Sequence, residues 1–140
     1  MIRASSWTLG DSLSIEKVAH LRAIALASPD STRGSARYGL CGRIVATEGN
    51  GDTLAGDLLD AAAALENVEE CLLYIVSRDP VETDAVWVVE CWDSADAHRA
   101  SLELSAVQAL IARARPIIAS MGDRGELQPV GGKGLDPRPA

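Results

Sequence analysis

No stretch of this sequence approaches the roughly 20 consecutive apolar residues that a membrane-spanning helix requires. Cysteine is scarce too: Cys41, Cys71 and Cys91 lie far apart without a C-x-x-C pair, which favours free thiols in a reducing compartment over a disulfide framework. The net charge is -7, whereas proteins that bind nucleic acids or anionic membranes concentrate Lys and Arg on one face. We therefore expect a cytoplasmic protein with no nucleic-acid partner and no membrane partner.

Motifs for common cofactors and metals are also missing. The sequence contains no G-x-G-x-x-G fingerprint, no H-x-x-E-H type pair and no cluster of His and carboxylate residues. Its composition is that of a globular protein, with 47% hydrophobic and 24% charged residues. We therefore predict a folded chain without a metal site.

Charge and composition divide the chain near Tyr38. Residues 1–37 hold five Lys and Arg against three Asp and Glu, whereas residues 38–140 hold eight against seventeen. The first part is predicted to be an N-terminal extension with a short amphipathic helix and a linker of turn-forming residues over 28–35. Residues 131–140 are rich in Gly and Pro and are predicted to be a flexible tail. One folded domain is therefore expected over residues 38–130.

Within residues 38–130 the hydrophobic period alternates between that of strands and that of helices. The predicted elements are a strand over 38–47, a helix over 53–66 capped by Asp52 or Thr53, strands over 71–77 and 85–92, a second helix over 97–104 that continues over 106–121 with a break at Pro116, and a short edge strand over 125–130. In the first helix, Asp57 and Asp60 are expected to face outward.

The order βαββαβ predicts a ferredoxin-like α+β fold, in which two helices cover one face of a four-stranded antiparallel sheet. The first three strands are apolar on both alternating faces, as in Val86 and Val88 against Trp87 and Val89. A sheet with one solvated face would instead alternate apolar and polar residues. We therefore predict that a partner sheet covers the bare face in a homodimer.

The segment from the second strand to the second helix resembles a known family. Residues 71–80, CLLYIVSRDP, are followed by VVECW over 88–92, by Ser94 and by Ala97-His98. This succession resembles the antibiotic biosynthesis monooxygenase domain, and the resemblance covers about residues 39–130. Where that family carries a helical histidine nine residues after the Trp, this sequence has Ser101, and a histidine stands at position 98.

The resemblance implies a dimeric α+β barrel whose members include cofactor-independent oxygenases of polycyclic phenols, quinol oxygenases and haem-degrading enzymes. A phenol or quinol deprotonated in a dry apolar pocket is electron-rich enough to reduce O₂ itself. The prediction is a monooxygenase that uses O₂ and no cofactor on a quinol or polycyclic phenol. Two alternatives stay open. One is a haem-binding or haem-degrading protein, although the first strand lacks the Asn of those relatives; the other is a ligand-binding dimer without turnover.

The candidate site lies where the third strand meets the second helix. Trp92 and His98 are predicted to be catalytic, the indole by donating its N–H to a bound oxygen and the imidazole by accepting a phenolic proton. Glu90 shares a strand face with Trp92 and is expected to be a tuned base or the partner of an arginine. It is grouped with four further substrate-binding candidates: Tyr74, Ser101, Leu102 and Arg113. The pocket is expected between the sheet and the second helix.

Overall fold

The computed structural model describes residues 36–135, which form four strands and three helices in the predicted order. The elements are β1 (Tyr38–Ala46), α1 (Gly51–Ala64), β2 (Cys71–Arg78), β3 (Ala85–Trp92), α2 (Ala95–Ser101), α3 (Ser105–Ala114) and β4 (Ile118–Leu127), with a 3₁₀ turn over Arg115–Ile117. The predicted helix and linker of the N-terminal extension, and the end of the predicted tail, lie outside the described residues. No helix among residues 36–135 is long and apolar enough to cross a membrane.

The sheet has the strand order β2-β3-β1-β4, and each neighbouring pair is antiparallel. This arrangement confirms the predicted ferredoxin-like α+β fold and the edge position of the last strand. Residues paired across neighbouring strands point to the same face of a sheet. Glu90 of β3 pairs with Leu40 of β1 and with Tyr74 of β2, so these three side chains share the face that the helices cover.

The start of α1 is held by a residue that lies far away in the sequence. The carboxylate of Asp84, just before β3, accepts hydrogen bonds from the backbone N–H groups of Gly49 (3.1 Å) and Gly51 (3.0 Å). The side chain of Asn50, at the N-cap position, makes no capping hydrogen bond. The prediction that Asp52 or Thr53 caps this helix is therefore wrong, because the first N–H groups are satisfied from the β2–β3 loop.

The second helical region ends earlier than predicted. Helix α3 stops at Ala114, and β4 begins at Ile118 rather than at residue 125. Pro116 has no N–H to donate to the preceding turn, and it lies in the first positions of the 3₁₀ turn, where that loss is tolerated. The β-branched pair Ile117-Ile118 then favours an extended chain. The predicted helix over 115–121 is therefore wrong.

Asp57 is buried, contrary to the prediction that it faces outward, whereas Asp60 is exposed as predicted. The guanidinium of Arg113 on α3 donates to Asp57 Oδ1 (2.8 Å) and to Asp60 Oδ2 (2.6 Å). One arginine thus ties α3 to α1. A buried carboxylate is tolerated where a cation satisfies it.

Two clusters of buried apolar residues lie between the sheet and the helices. The first consists of Tyr38, Leu65, Trp92 and Val107, and the second of Ala46, Leu54, Val86 and Ala114. Fully burying a side chain such as Leu54 or Val86 contributes about 1.5–3 kcal/mol to stability. Both clusters contribute walls to a cavity.

Candidate active site

A cavity of about 500 Å³ lies between the helix-covered face of the sheet and the helices. Apolar side chains form most of its wall, among them Leu40, Ile44, Leu54, Leu58 and Ile111. Its volume falls within the roughly 300–1,000 Å³ of small-molecule sites. It adjoins the predicted position between the sheet and the second helix, and it also extends along α1, where Leu54 and Leu58 line it. Such a cavity has room for a planar aromatic molecule.

Glu90 brings a carboxylate to this apolar wall. Its Oε2 accepts a hydrogen bond of 2.9 Å from Nε1 of Trp92, which is itself fully buried. Burial raises the pKa of Glu90, against the lowering effects of the Trp92 hydrogen bond and of the charge on Arg124. The indole N–H, predicted to donate to a bound oxygen, is therefore already used by Glu90.

His98, on α2, faces the same carboxylate. Its Nε2 lies 3.6 Å from Oε2 of Glu90, and only 5% of the residue is exposed. The ring packs between Tyr38 and Trp92, with centroid distances of 5.1 and 5.5 Å. Burial lowers the pKa of His98 to about 4, and the charge on Arg124 adds to this shift. His98 is therefore neutral at pH 7.

Three polar residues adjoin the pair of Glu90 and His98 from β1 and β4. The hydroxyl of Tyr38 donates to Oε1 of Glu126 (2.9 Å), and Nη2 of Arg124 lies 3.8 Å from the same oxygen. Burial and the neighbouring carboxylate raise the pKa of Tyr38 to about 12, so the phenol keeps its proton at neutral pH. These contacts place one cation, Arg124, at the polar end of the cavity.

Most of the predicted site residues meet at the cavity. Tyr74, Ser101 and Leu102 line it together with Glu90, Trp92 and His98. The hydroxyl of Ser101 donates to the backbone carbonyl of His98 (2.6 Å), so it supports the helix turn that carries the imidazole. Burial and the nearby Glu90 raise the pKa of Tyr74.

Arg113 is the exception among the predicted residues. Its guanidinium contacts Asp57 and Asp60, and it is not one of the residues that line the cavity. The cations that do line the cavity are Arg115 and Arg124. Sequence reasoning did not place Arg124 in the site because it put residue 124 before the last strand. A strand beginning at the Ile117-Ile118 pair would have put residue 124 within the strand, but it would not have shown which face of the sheet Arg124 lies on.

Among residues 36–135, no group of three or more His, Cys, Asp or Glu side chains is arranged to hold a metal ion. The three cysteines are free thiols, one in each of β1, β2 and β3.

Comparison with known proteins identifies the family. The sequence profile of the antibiotic biosynthesis monooxygenase family, ABM, matches residues 38–113, more than half of the chain. The chain belongs to this family. The resemblance seen from the second strand to the second helix is thereby confirmed, and membership supports a monooxygenase-like function on a small molecule in general. No curated protein sequence matches the chain significantly.

Solved structures of other ABM proteins share this fold. A structure from Chloroflexus aurantiacus that carries the family name is 43% identical, covers 71% of this chain and 99% of its own, and superposes with a TM-score of 0.67. Two others that carry the family name, from Caulobacter crescentus and Deinococcus radiodurans, are 22% and 23% identical, with TM-scores of 0.64 and 0.54. They cover 69% and 71% of this chain, and 92% and 96% of their own. The latter two comparisons show the fold alone.

Proposed function

We propose that the cavity is the active site of a monooxygenase that oxidises a quinol or polycyclic phenol with O₂ and without a cofactor. The observation that carries this proposal is the carboxylate of Glu90, which lies in an apolar cavity of about 500 Å³ with an indole donor on one side and a neutral imidazole on the other. Family membership supports the class of reaction. The substrate and the independence from a cofactor belong to the proposal.

Glu90 is the stronger base of the pair. A general base works best when its pKa lies near the operating pH. Burial moves the pKa of Glu90 upward and that of His98 downward, to about 4. Proton abstraction is therefore assigned to Glu90 rather than to His98. The neutral imidazole, 3.6 Å away, then accepts a hydrogen bond from the newly formed Glu90 carboxylic acid as the contact shortens.

The proposed reaction balances without an external reductant. The phenol gives its proton to Glu90, and the resulting phenolate gives one electron to O₂. The two radicals combine at the unsubstituted carbon para to the oxygen and form a C–O bond. The peroxide anion so formed takes the proton back from Glu90. The hydrogen on that carbon then leaves as a proton while the O–O bond breaks and releases hydroxide; together these make one water and leave a quinone. One oxygen atom of O₂ enters the product, and the substrate supplies all the electrons.

A homodimer is part of the same proposal. The sheet face opposite the helices carries Val45, Ile75, Trp87 and Val89, and Ile75 is 45% exposed in the single chain. Contiguous apolar patches on a sheet are usually covered by another layer. Packing two sheets through these faces would bury the patch and leave each cavity on the outer, helix-covered side. Light scattering in solution should report about twice the mass of the chain.

The haem alternative receives no support from the geometry of His98. A haem ligand needs a free imidazole nitrogen facing the cavity. Nε2 of His98 faces Glu90, and Nδ1 is buried away from solvent. The phenol oxygenase therefore remains the better-supported function.

Oxygen uptake tests the proposal. Purified protein, with its iron, zinc, copper and flavin contents measured, is incubated with a panel of anthrones, naphthols and naphthoquinols in an oxygen electrode. We expect uptake of one O₂ per substrate oxidised, saturable in substrate and unaffected by chelators. No protein-dependent uptake with any member of the panel, or uptake that follows a bound metal or flavin, would contradict the proposed function.

A further inference from the structure

Arg124 reaches the cavity because β4 is irregular. Arg124 pairs with Gly42 of β1, whereas Met121 pairs with Ile44, so Gly122 and Asp123 together oppose a single residue. Such a β-bulge changes which residues face each side of a sheet. With strict alternation from Met121, Asp123 would face the helices and Arg124 would not. The bulge instead places both Met121 and Arg124 in the cavity wall.

The neighbour of Arg124 on β1 leaves room beside it. Gly42 also lines the cavity, and a Cβ atom added there would meet no other atom within 4 Å. Any other residue would project a side chain into this space. The floor of the cavity is therefore open next to the guanidinium, where an oxygen atom of a ligand fits.

The guanidinium of Arg124 is incompletely satisfied by the protein. Its Nη1 is buried and has no hydrogen-bond partner among residues 36–135. Its ion pair with Glu126 is long, at 3.8 Å, and Glu126 also accepts the Tyr38 hydroxyl. Buried donors of a charged group are normally paired, because leaving one unpaired is costly. The side chain of Arg124 is nevertheless 24% exposed and lines the cavity, so an acceptor from outside the chain can reach it there.

The charged and titratable groups around Arg124 indicate which kind of acceptor it binds. Tyr38 from β1, Glu90 from β3, His98 from α2 and Glu126 from β4 face Arg124, and its charge lowers the pKa of Tyr38, Glu90 and His98. Arg124 is thus within electrostatic reach of the proposed base. When a ligand hydroxyl gives its proton to Glu90, the negative charge moves from the carboxylate to the ligand oxygen. Arg124 is the cation positioned to hold that charge.

We propose that Arg124 is the anion-binding residue of this cavity and holds the ionised oxygen of a phenol or enol ligand. The inference rests on the proposed function in taking a hydroxylated aromatic as the ligand, and it narrows the substrate class. Planar molecules whose hydroxyl ionises on binding are accepted, and analogues in which that hydroxyl is methylated are not. Arg124 is then a further catalytic residue, because it contacts the oxygen on which charge develops.

The ionisation of a bound chromophore tests this assignment. 4-Nitrophenol absorbs differently as phenol and as phenolate, and it is too electron-poor to be oxidised by O₂. Difference absorbance over a range of pH, without oxygen, gives its pKa when bound. We expect Arg124→Met to raise that pKa by at least about one unit, the usual effect of removing an adjacent opposite charge. Phenolate affinity relative to phenol then falls at least about tenfold.

Three further variants make the result specific. Arg124→Lys keeps the charge and should restore at least part of the shift. Arg124→Gln carries no charge and should behave like Arg124→Met, and it replaces that variant if the latter does not fold. Arg78→Met makes the same chemical change at an exposed arginine that pairs with Asp52 outside the cavity, and it should leave the bound pKa unchanged.

The outcomes separate this inference from the proposed reaction. An unchanged bound pKa in both Arg124→Met and Arg124→Gln, an equal shift in Arg78→Met, or no saturable binding of 4-nitrophenol to the unmodified protein would each overturn the anion site. The experiment involves no turnover. Absence of oxygen uptake would therefore overturn the reaction while leaving the assignment of Arg124 intact.

Discussion

The imidazole of His98 and the carboxyl group of Glu90 form a buried pair, with Nε2 and Oε2 separated by 3.6 Å. Burial lowers the pKa of His98 to about 4 and raises that of Glu90. A proton that enters the pair is therefore held by the carboxyl group and not by the imidazole. This order is the reverse of that in water, where histidine is the stronger base. It makes Glu90 the group that exchanges protons with a ligand.

The protonation of His98 gives the first prediction. Because its pKa is about 4 in the folded protein and about 6.5 in the unfolded chain, the free energy of unfolding should decrease as the pH falls from 6.5 to 4. The loss attributable to this group reaches about 3 kcal/mol. NMR titration of the imidazole signals should show His98 half-protonated near pH 4.

The control for this titration is provided by the other histidine. The chain has two, so a His20→Gln variant identifies the signal of His98. His98→Phe should remove the part of the stability loss at acid pH that protonation of His98 causes. A midpoint for His98 at or above 6.5 would mean that it forms a charged pair with Glu90, contrary to this account.

Glu90 should affect the pH dependence of stability in the opposite direction to His98, and replacing it by Gln should remove that effect. A carboxyl group whose pKa is raised on folding contributes stability at low pH and loses it as the pH rises through the folded value. Gln still accepts a hydrogen bond from Trp92 but carries no charge. The variant should therefore gain stability relative to the unmodified protein as the pH goes from 4 to 8, measured by urea unfolding.

The same Glu90→Gln variant should lose activity if Glu90 is the base. General bases contribute on the order of 10²- to 10⁴-fold in rate, and kcat should fall by that factor. Glu66→Gln, at an exposed position outside the cavity, is the control for the substitution itself. Retention of full kcat by Glu90→Gln would exclude Glu90 as the base.

Trp92→Phe tests the indole donor. The change removes the hydrogen bond to a buried carboxylate and leaves space in the core, and we expect a loss of about 1–3 kcal/mol in stability together with weaker ligand binding. Trp87→Phe is the matched control, because its indole N–H also donates to a carboxylate, that of Asp79 (3.0 Å), on the opposite face of the sheet. Calorimetric titration should show a loss of ligand affinity in Trp92→Phe only. An equal loss of ligand affinity in both variants would mean that the ligand does not bind in the cavity.

Filling the cavity should abolish binding while the fold is preserved. In Gly42→Val, the new side chain meets no other atom close to its Cβ and projects into the cavity, and β-branched residues are favoured in strands. Gly125→Val is the control, since Gly125 also has open space but pairs with Cys41 on the other face. Gly42→Val should keep its melting temperature within a few degrees and lose ligand binding at least about tenfold. Undiminished binding by a folded Gly42→Val would place the ligand elsewhere.

Asp84→Ala tests how the fold positions α1. Loss of the carboxylate leaves the N–H groups of Gly49 and Gly51 without their acceptor, and the loss of a helix cap costs about 0.5–2 kcal/mol. Asp52→Ala, at an exposed position in the first turn, should cost less. The comparison is made by chemical denaturation. Equal costs would mean that Asp84 does not serve as the cap.

Much of the fold can be predicted from local sequence, because the hydrophobic periodicity within each strand and helix of residues 38–92 is uninterrupted. The pair Glu90 and Trp92 could be placed on one face for the same reason, since strand residues two apart share a face. Two features depend on contacts that are distant in sequence. Asp84 caps a helix 33 residues away, and the bulges of β4 break the alternation that would place Arg124. Neither has a local pattern that periodicity detects.

Isotope labelling tests most directly whether this cavity is the site of a monooxygenase reaction. A naphthol or anthrone that supports oxygen uptake is incubated with ¹⁸O₂, and the product is analysed by mass spectrometry for the unmodified protein and for Gly42→Val. We predict one ¹⁸O atom per product molecule with the unmodified protein and no product above background with Gly42→Val. Product formed equally well by a folded Gly42→Val, or product that carries oxygen from water or two atoms from O₂, would contradict the account.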